Sequence, residues 1–240
     1  MSHLDLSFDG HFAQRASLPW WPWVGSQYVS SRTRTLVLGE SVYDWSDTPR
    51  ERELFQARYA ARDGLRHTHT NHAMDFRRDT PYVRNVERAV YSTSKPGDAM
   101  KQAFWTSVVY HNLVLEPLAS LDVRPSLRQF QAGWAEALDL CNLLDVRQVL
   151  VYGVGSVPAL KLEAKARGLD CRIRKLRPQL NRCYPRVGTL TLGGSHIQLL
   201  FIRHPSTFFS WENWSAIIGA HLSLGELKDA CRAIPFRQST

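Results

Sequence analysis

The sequence predicts an α/β protein, a three-layer α/β/α sandwich whose centre is a four-stranded parallel sheet. Three observations predict it. Four short runs of Val, Ile, Leu and aromatics are apolar on both parities, which is the pattern of strands covered on both faces. The segments between these runs carry helix-start and helix-stop signals, and alternation of strand and helix favours parallel pairing through crossovers. The length of 240 residues suits one domain over 1–240, because a single core can still grow at that size.

The first run is TLVLGE, residues 35–40. After it, Thr48-Pro49-Arg50-Glu51 offers a capping box with proline at the first helical position, and Gly64 closes the ELFQARYAARD pattern. Residues 64–103 contain GLRHTHTNHAMDFRRDTPY and YSTSKPGD; polar and turn-rich, they read as an irregular insertion of the kind that often carries function. FWTSVVYHNLV, 104–114, is the second strand. Ser126 and Gln129 start the next helix, where Leu127, Phe130, Trp134, Ala137, Leu138 and Cys141 recur at three and four residues and turn one face to the sheet. QVLVYGV, 148–154, is the third strand, and Ser156 with Pro158 opens the helix VPALKLEAKAR, ended by Gly168. HIQLLFIRHP, 196–205, is the fourth strand, and Ser223 with Glu226 caps a last helix over LGELKDACRA.

Charge narrows the classes of partner. Thirty Lys and Arg against 22 Asp and Glu give a net charge of +8 and an isoelectric point near 9.6, which favours a polyanion such as DNA. No run approaches the roughly 18 apolar residues of a membrane span, and MSHLDLSFDG is not built like a secretory signal. A cytoplasmic monomer is expected. Cys141, Cys171, Cys183 and Cys231 are scattered without a C-x-x-C pair, so reduced thiols are expected and no metal or other cofactor is implied.

Open parallel sheets bind ligands just beyond the carboxyl ends of their strands. Three such ends here are polar or glycine-containing: Gly39-Glu40-Ser41, His111-Asn112 and His204-Pro205-Ser206. LVLGESVYDW and FIRHPSTFFSW, at the first and last of them, resemble the two motifs of the uracil-DNA glycosylase superfamily. That family carries Gly-Gln-Asp-Pro-Tyr-His or Gly-Glu-Ala-Pro-Gly after its first strand and His-Pro-Ser after its last. RPSLRQFQAGW followed by VRQVLVYGVGS resembles its penultimate helix and strand, so the likeness in architecture spans residues 34–214.

The resemblance implies a monofunctional DNA glycosylase that flips out a base, hydrolyses its N-glycosidic bond and leaves an abasic site. The base would be uracil or a modified pyrimidine, and the setting base-excision repair or defence against phage DNA with modified cytosines. Such a reaction makes an electron-poor, oxocarbenium-like sugar and an electron-rich base, and the site must stabilise both. His204 is the expected partner of the leaving base. Glu40, or Asp44 three residues beyond Ser41, is expected to serve the sugar cation or position the attacking water. Gly39, Ser41 and Tyr43 are expected around the substrate, with Val42 standing where the family has proline.

Asn112 would read the base edge with its paired donor and acceptor, Ser107 being the alternative, and Phe76 or Tyr82 would stack on it. Ser206, Thr207 and Arg203 are expected at the DNA, with Phe208 or Phe209 as the wedge that fills the emptied stack. Each has a plainer reading: a strand-end histidine, a loop-capping glutamate, a turn asparagine, a core phenylalanine.

Two rival classes remain. His67, His69 and His72, with Asp75, would make a metallohydrolase if their imidazoles converged, whereas a polar loop flanked by Arg66, Arg77 and Arg78 would touch DNA instead. A non-catalytic DNA-binding descendant of the fold is the other. GVGS, 153–156, lacks the rest of a phosphate loop and reads as a tight turn. LPWWPWVG reads as cover for a core edge, and CRIRKLRP, 171–178, as an edge strand with a basic side.

Overall fold

The structure, a computed structural model, describes residues 3–177, 179–206 and 208–224. Its centre is a mixed seven-stranded sheet in the order β1-β3-β2-β4-β7-β6-β5. The strands are β1 (Trp23–Val24), β2 (Thr35–Gly39), β3 (Val108–Asn112), β4 (Gln148–Tyr152), β5 (Cys171–Lys175), β6 (Arg186–Leu192) and β7 (Ser195–Ile202). The helices are α1 (Asp9–Ala13), α2 (Pro49–Ala60), α3 (Gly64–His69), α4 (Pro81–Tyr91), α5 (Asp98–Thr106), α6 (Leu127–Leu143), α7 (Val157–Ala166) and α8 (Trp211–His221), with a π-helical turn at Thr70–Met74.

The expected sheet of four parallel strands is therefore corrected to seven mixed ones. β3, β2, β4 and β7 do pair in parallel; β2, β3 and β4 are buried throughout, and β7 is buried over its last four residues. β1 adds to β3, and β6 and β5 add beyond β7, all antiparallel. The apolar-run criterion finds strands covered on both faces and passes over half-exposed edges. β5 is such an edge, and it is the basic-sided edge strand expected over 171–178, with Arg172, Arg174 and Lys175 in solvent. β6 and β7 form a hairpin through Gly193-Gly194, both at positive φ, a turn signal present in the sequence between TLTL and HIQL.

Two apolar cores lie on opposite faces of the sheet. Trp134, Ala137 and Leu138 of α6 and Leu160 of α7 pack with Leu36, Leu38, Val149 and Phe201. On the other face Val83, Val86 and Val90 of α4 and Trp214 and Ile218 of α8 pack with Val37, Leu150, Leu200 and Ile202. Alternate strand residues serve alternate cores, which is why the strands lack a polar face.

The capping boxes at Thr48 with Glu51 and at Ser126 with Gln129 both form. Ser156 differs: it precedes α7, but its hydroxyl makes no capping bond and is buried without a partner among the described residues. The second run is shorter than expected, because Phe104 and Trp105 end α5 and only Val108–Asn112 is strand.

Residues 64–103 are largely helical rather than irregular. Pro81 starts α4 from the first turn, Val83, Val86 and Val90 turn its apolar stripe inward, and Ser92 ends it in the left-handed conformation. The expected last helix lies, beyond Leu224, outside the described residues, as does Thr207. Trp20 and Trp23 are buried and donate their indole N–H groups to the carbonyls of Tyr59 and Trp105, so the tryptophan-rich segment is core. No helix among the described residues is long and apolar enough to cross a membrane.

Candidate active site

β2, β4 and β7 run side by side, so the segments following them emerge at one edge of the sheet. There Glu40, Gly153 and His204 line a cleft of about 460 Å³, together with Arg124, Arg182 and Arg203. Two motifs more than 160 residues apart thus meet because parallel strands share a carboxyl edge.

Glu40 is only 5% exposed. Its Oε1 accepts from Arg124 Nη2 at 2.7 Å and from the Tyr43 hydroxyl at 3.3 Å. Burial pushes the carboxyl's pKa up, and Arg124 with the Tyr43 bond pulls it back, so the arginine is what favours the charged form. Oε2 lies 3.0 Å from where a Cβ on Gly153 would stand. Gly153, at φ +85°, supplies both the turn after β4 and the room beside this oxygen.

His204 is half-buried, with Nδ1 3.0 Å from Ser206 Oγ and the ring edge-on to Tyr152 at 6.0 Å. Burial first, then Arg124 and Arg203, lower its pKa from 6.5 to about 4. The imidazole is neutral at pH 7. Since Ser206 occupies Nδ1, Nε2 is the nitrogen left for a ligand, and in the tautomer whose Nδ1 accepts from the hydroxyl, Nε2 carries the N–H. The loop is held from below by α4, whose Asn85 donates to the carbonyls of Pro205 at 2.9 Å and Ser206 at 3.3 Å.

Asn112 is buried at the end of β3, behind the cleft rather than on its wall. Its Oδ1 accepts from the Tyr110 hydroxyl at 3.0 Å and rests against Gly39. Ser107 is at the opposite end of β3, bonded to the Phe104 carbonyl, which leaves Asn112 as the polar group at the ligand edge. Ser41 follows Glu40 and is half-buried.

The aromatic pair after His204 divides. Phe208 is 81% exposed, at φ +54°, with the Arg203 guanidinium 5.9 Å from its ring centroid. Phe209 stacks on Trp214 at 5.7 Å and belongs to the core beneath. Arg203 also donates to the Asn181 carbonyl at 2.6 Å.

Three residues considered for the site stand elsewhere. Asp44 pairs its backbone N–H with the Leu118 carbonyl and its carboxylate with the Ser46 N–H and Arg52, away from the cleft wall. The strand-like pairing of Tyr43 with Leu118 fixes that path. Phe76 lines a different cavity, beside α4, and Tyr82 bonds His72.

The histidine cluster does not form a metal centre. His67 is exposed and meets Asn71, His72 Nδ1 meets the Tyr82 hydroxyl, and His69 is sealed among Trp23, Trp105 and Tyr110. Among the described residues no three His, Cys, Asp or Glu side chains are arranged to hold a metal ion. Cys183 lines the cleft, but burial raises its pKa and keeps the thiol protonated.

The sequence reading missed Arg124, Arg182, Gly153 and Asn85. Arg124 sits in the turn before the Ser126 cap, and only the folded chain brings it to Glu40. No protein-family model matches the chain, and no curated protein matches it.

Proposed function

We propose that the protein is a DNA glycosylase that flips a uracil or modified pyrimidine nucleotide into the cleft and hydrolyses its N-glycosidic bond. The observation that carries this reading is one arginine-rich cleft holding a buried carboxylate, Glu40, and a neutral imidazole, His204, with an exposed phenylalanine beside it. The chemistry of base release asks for those groups together. As the bond to the sugar breaks, charge develops on the leaving base, and the His204 Nε2–H donates to its oxygen; preorganised away from water, such a donor is worth about 3–4 kcal/mol. Glu40 stabilises the cationic sugar or holds the attacking water through Oε2, the oxygen that Arg124 does not use.

Arg124, Arg182 and Arg203 give the cleft rim a positive field for the DNA backbone, in keeping with the net charge of +8. Phe208 enters the gap left by the flipped nucleotide, and unstacking costs a few kcal/mol that the wedge offsets. Asn112, buried at the end of β3 behind the cleft wall, bonds the Tyr110 hydroxyl and braces Gly39 beneath the substrate. The likeness of LVLGESVYDW and FIRHPSTFFSW to the uracil-DNA glycosylase motifs points the same way. Repair of uracil or attack on phage DNA with altered cytosines is the setting we assign to that chemistry here.

The test incubates the protein with oligonucleotides carrying uracil, hypoxanthine or a substituted cytosine. Free base is followed by mass spectrometry and abasic sites by alkaline cleavage. Release of one of these bases, lost on His204→Ala, is the expected result. Tight DNA binding that survives His204→Ala, with no base released from any substrate, would replace this reading with a non-catalytic DNA-binding role.

A further inference from the structure

A second cavity, of about 300 Å³, lies against α4, the helix that also supports the His204 loop through Asn85. Arg84 and Arg88, one helical turn apart on α4, line it together with Arg78, Lys95, Lys101 and the ring of Phe76. Five cations thus surround one small space, against Asp79 and Glu87.

The acidic groups do not balance them. Asp79 is taken up by Arg84 Nη1 and Asp98 by Lys101 Nζ, which leaves Arg78, Arg88 and Lys95 to set the charge of the space. Glu87 is buried, its Oε1 accepting from the Trp105 indole at 2.8 Å, and burial pushes its pKa up to about 7, which weakens it as a counter-charge. The Nε groups of Arg84 and Arg88 are buried without a hydrogen-bond partner among the described residues. Half-buried guanidinium groups at this spacing repel each other and carry unused donors, an arrangement that a multiply charged oxyanion relieves.

The remaining wall is aromatic. Phe76 holds φ +53°, a left-handed conformation that costs a bulky residue energy, and Lys101 Nζ lies 4.6 Å from its ring centroid. Cations beside a presented ring form the combination that receives a nucleotide: phosphate on the arginines, base on the ring. We propose that the α4 cavity is a nucleotide-binding pocket, separate from the His204 cleft, with Arg84 and Arg88 holding a phosphate and Phe76 stacking on the attached base. The same chemistry is offered by a free mononucleotide and by one nucleotide of a DNA strand. This pocket does not depend on the glycosylase reading.

Isothermal titration at low salt decides it, with inorganic phosphate, a 5′-mononucleotide and a single-stranded oligonucleotide as probes. The wild-type protein, Arg84→Gln/Arg88→Gln and Phe76→Ala are compared. Loss of tenfold or more in mononucleotide affinity for both variants, with phosphate affinity lost only in the arginine variant, assigns a free nucleotide. Loss confined to the oligonucleotide assigns DNA. Affinities for all three probes unchanged by either variant, or no binding by the wild-type protein, overturn the proposal. Thermal unfolding of Arg88→Gln alone separates binding from a structural role: among the described residues Arg88 has no side-chain hydrogen bond to lose, so Tm holds or rises, whereas a fall of several degrees with unchanged affinities counts against the pocket. Base release from oligonucleotides, measured in parallel, reports on the His204 cleft by itself.

Discussion

His69 is the most informative residue to perturb. It is fully buried, stacked on Tyr110 at 4.4 Å and edged by Trp105 at 4.5 Å and Trp23 at 4.9 Å. Neither ring nitrogen has a partner among the described residues, and burial lowers its pKa from 6.5 to about 3. A histidine held neutral in the fold but free to protonate when unfolded makes stability depend on pH with a definite sign. Above pH 6.5 its contribution is intact, and as pH falls toward 3 the unfolded state takes up a proton that the folded state refuses. Integrated from pH 7 to pH 5, the loss is about 2 kcal/mol for this one residue.

His69→Phe keeps a ring in the same cage and removes both the unpaired nitrogens and the titration. At pH 7 the variant is expected to match or exceed the wild type, by about 1 kcal/mol, because an unpartnered buried polar group costs on that order. Between pH 7 and pH 5 it is expected to lose about 2 kcal/mol less than the wild type. Urea unfolding followed by tryptophan fluorescence at the two pH values measures both quantities. Equal losses in the two proteins would refute the reasoning, and so would a variant destabilised by more than about 2 kcal/mol at pH 7, which would mean that the nitrogens are bonded. His111, buried with neither nitrogen partnered among the described residues and its pKa lowered to about 3, adds a similar term, so acid lability should persist at reduced slope.

Arg124→Ala removes the cation that opposes burial at Glu40, so the carboxyl pKa rises further and the acid limb of the base-release profile should move to higher pH. Gly39→Ala would set a Cβ 2.2 Å from Asn112 Oδ1 and 2.6 Å from the Tyr110 hydroxyl; displacing both should cut base release about tenfold or more, with a modest fall in Tm. Phe208→Ala removes a ring that is 81% exposed, so Tm should hold, while release from duplex DNA falls more than release from single strands.

What the sequence determined by itself was the class of fold and the strand ends that border the cleft. TLVLG, QVLVY and HIQLLFI are apolar on both parities, and that alone requires cover on both faces and hence helices in two layers. Glu40 and His204 were legible because strand-end polar residues after such runs point to a ligand edge. Tertiary structure alone decided the rest. β6 is half-exposed and paired at the sheet's antiparallel side, so no local pattern announces it beyond its Gly-Gly turn. Asp44 left the cleft because its backbone pairs with Leu118, and Phe76 because it lines the cavity beside α4, neither written in their own neighbourhoods. Arg124 entered it from a turn over 80 residues from its carboxylate. Short-range sequence encodes how a segment meets water, whereas the field at a site is the sum of charges that only chain folding brings within a few ångströms.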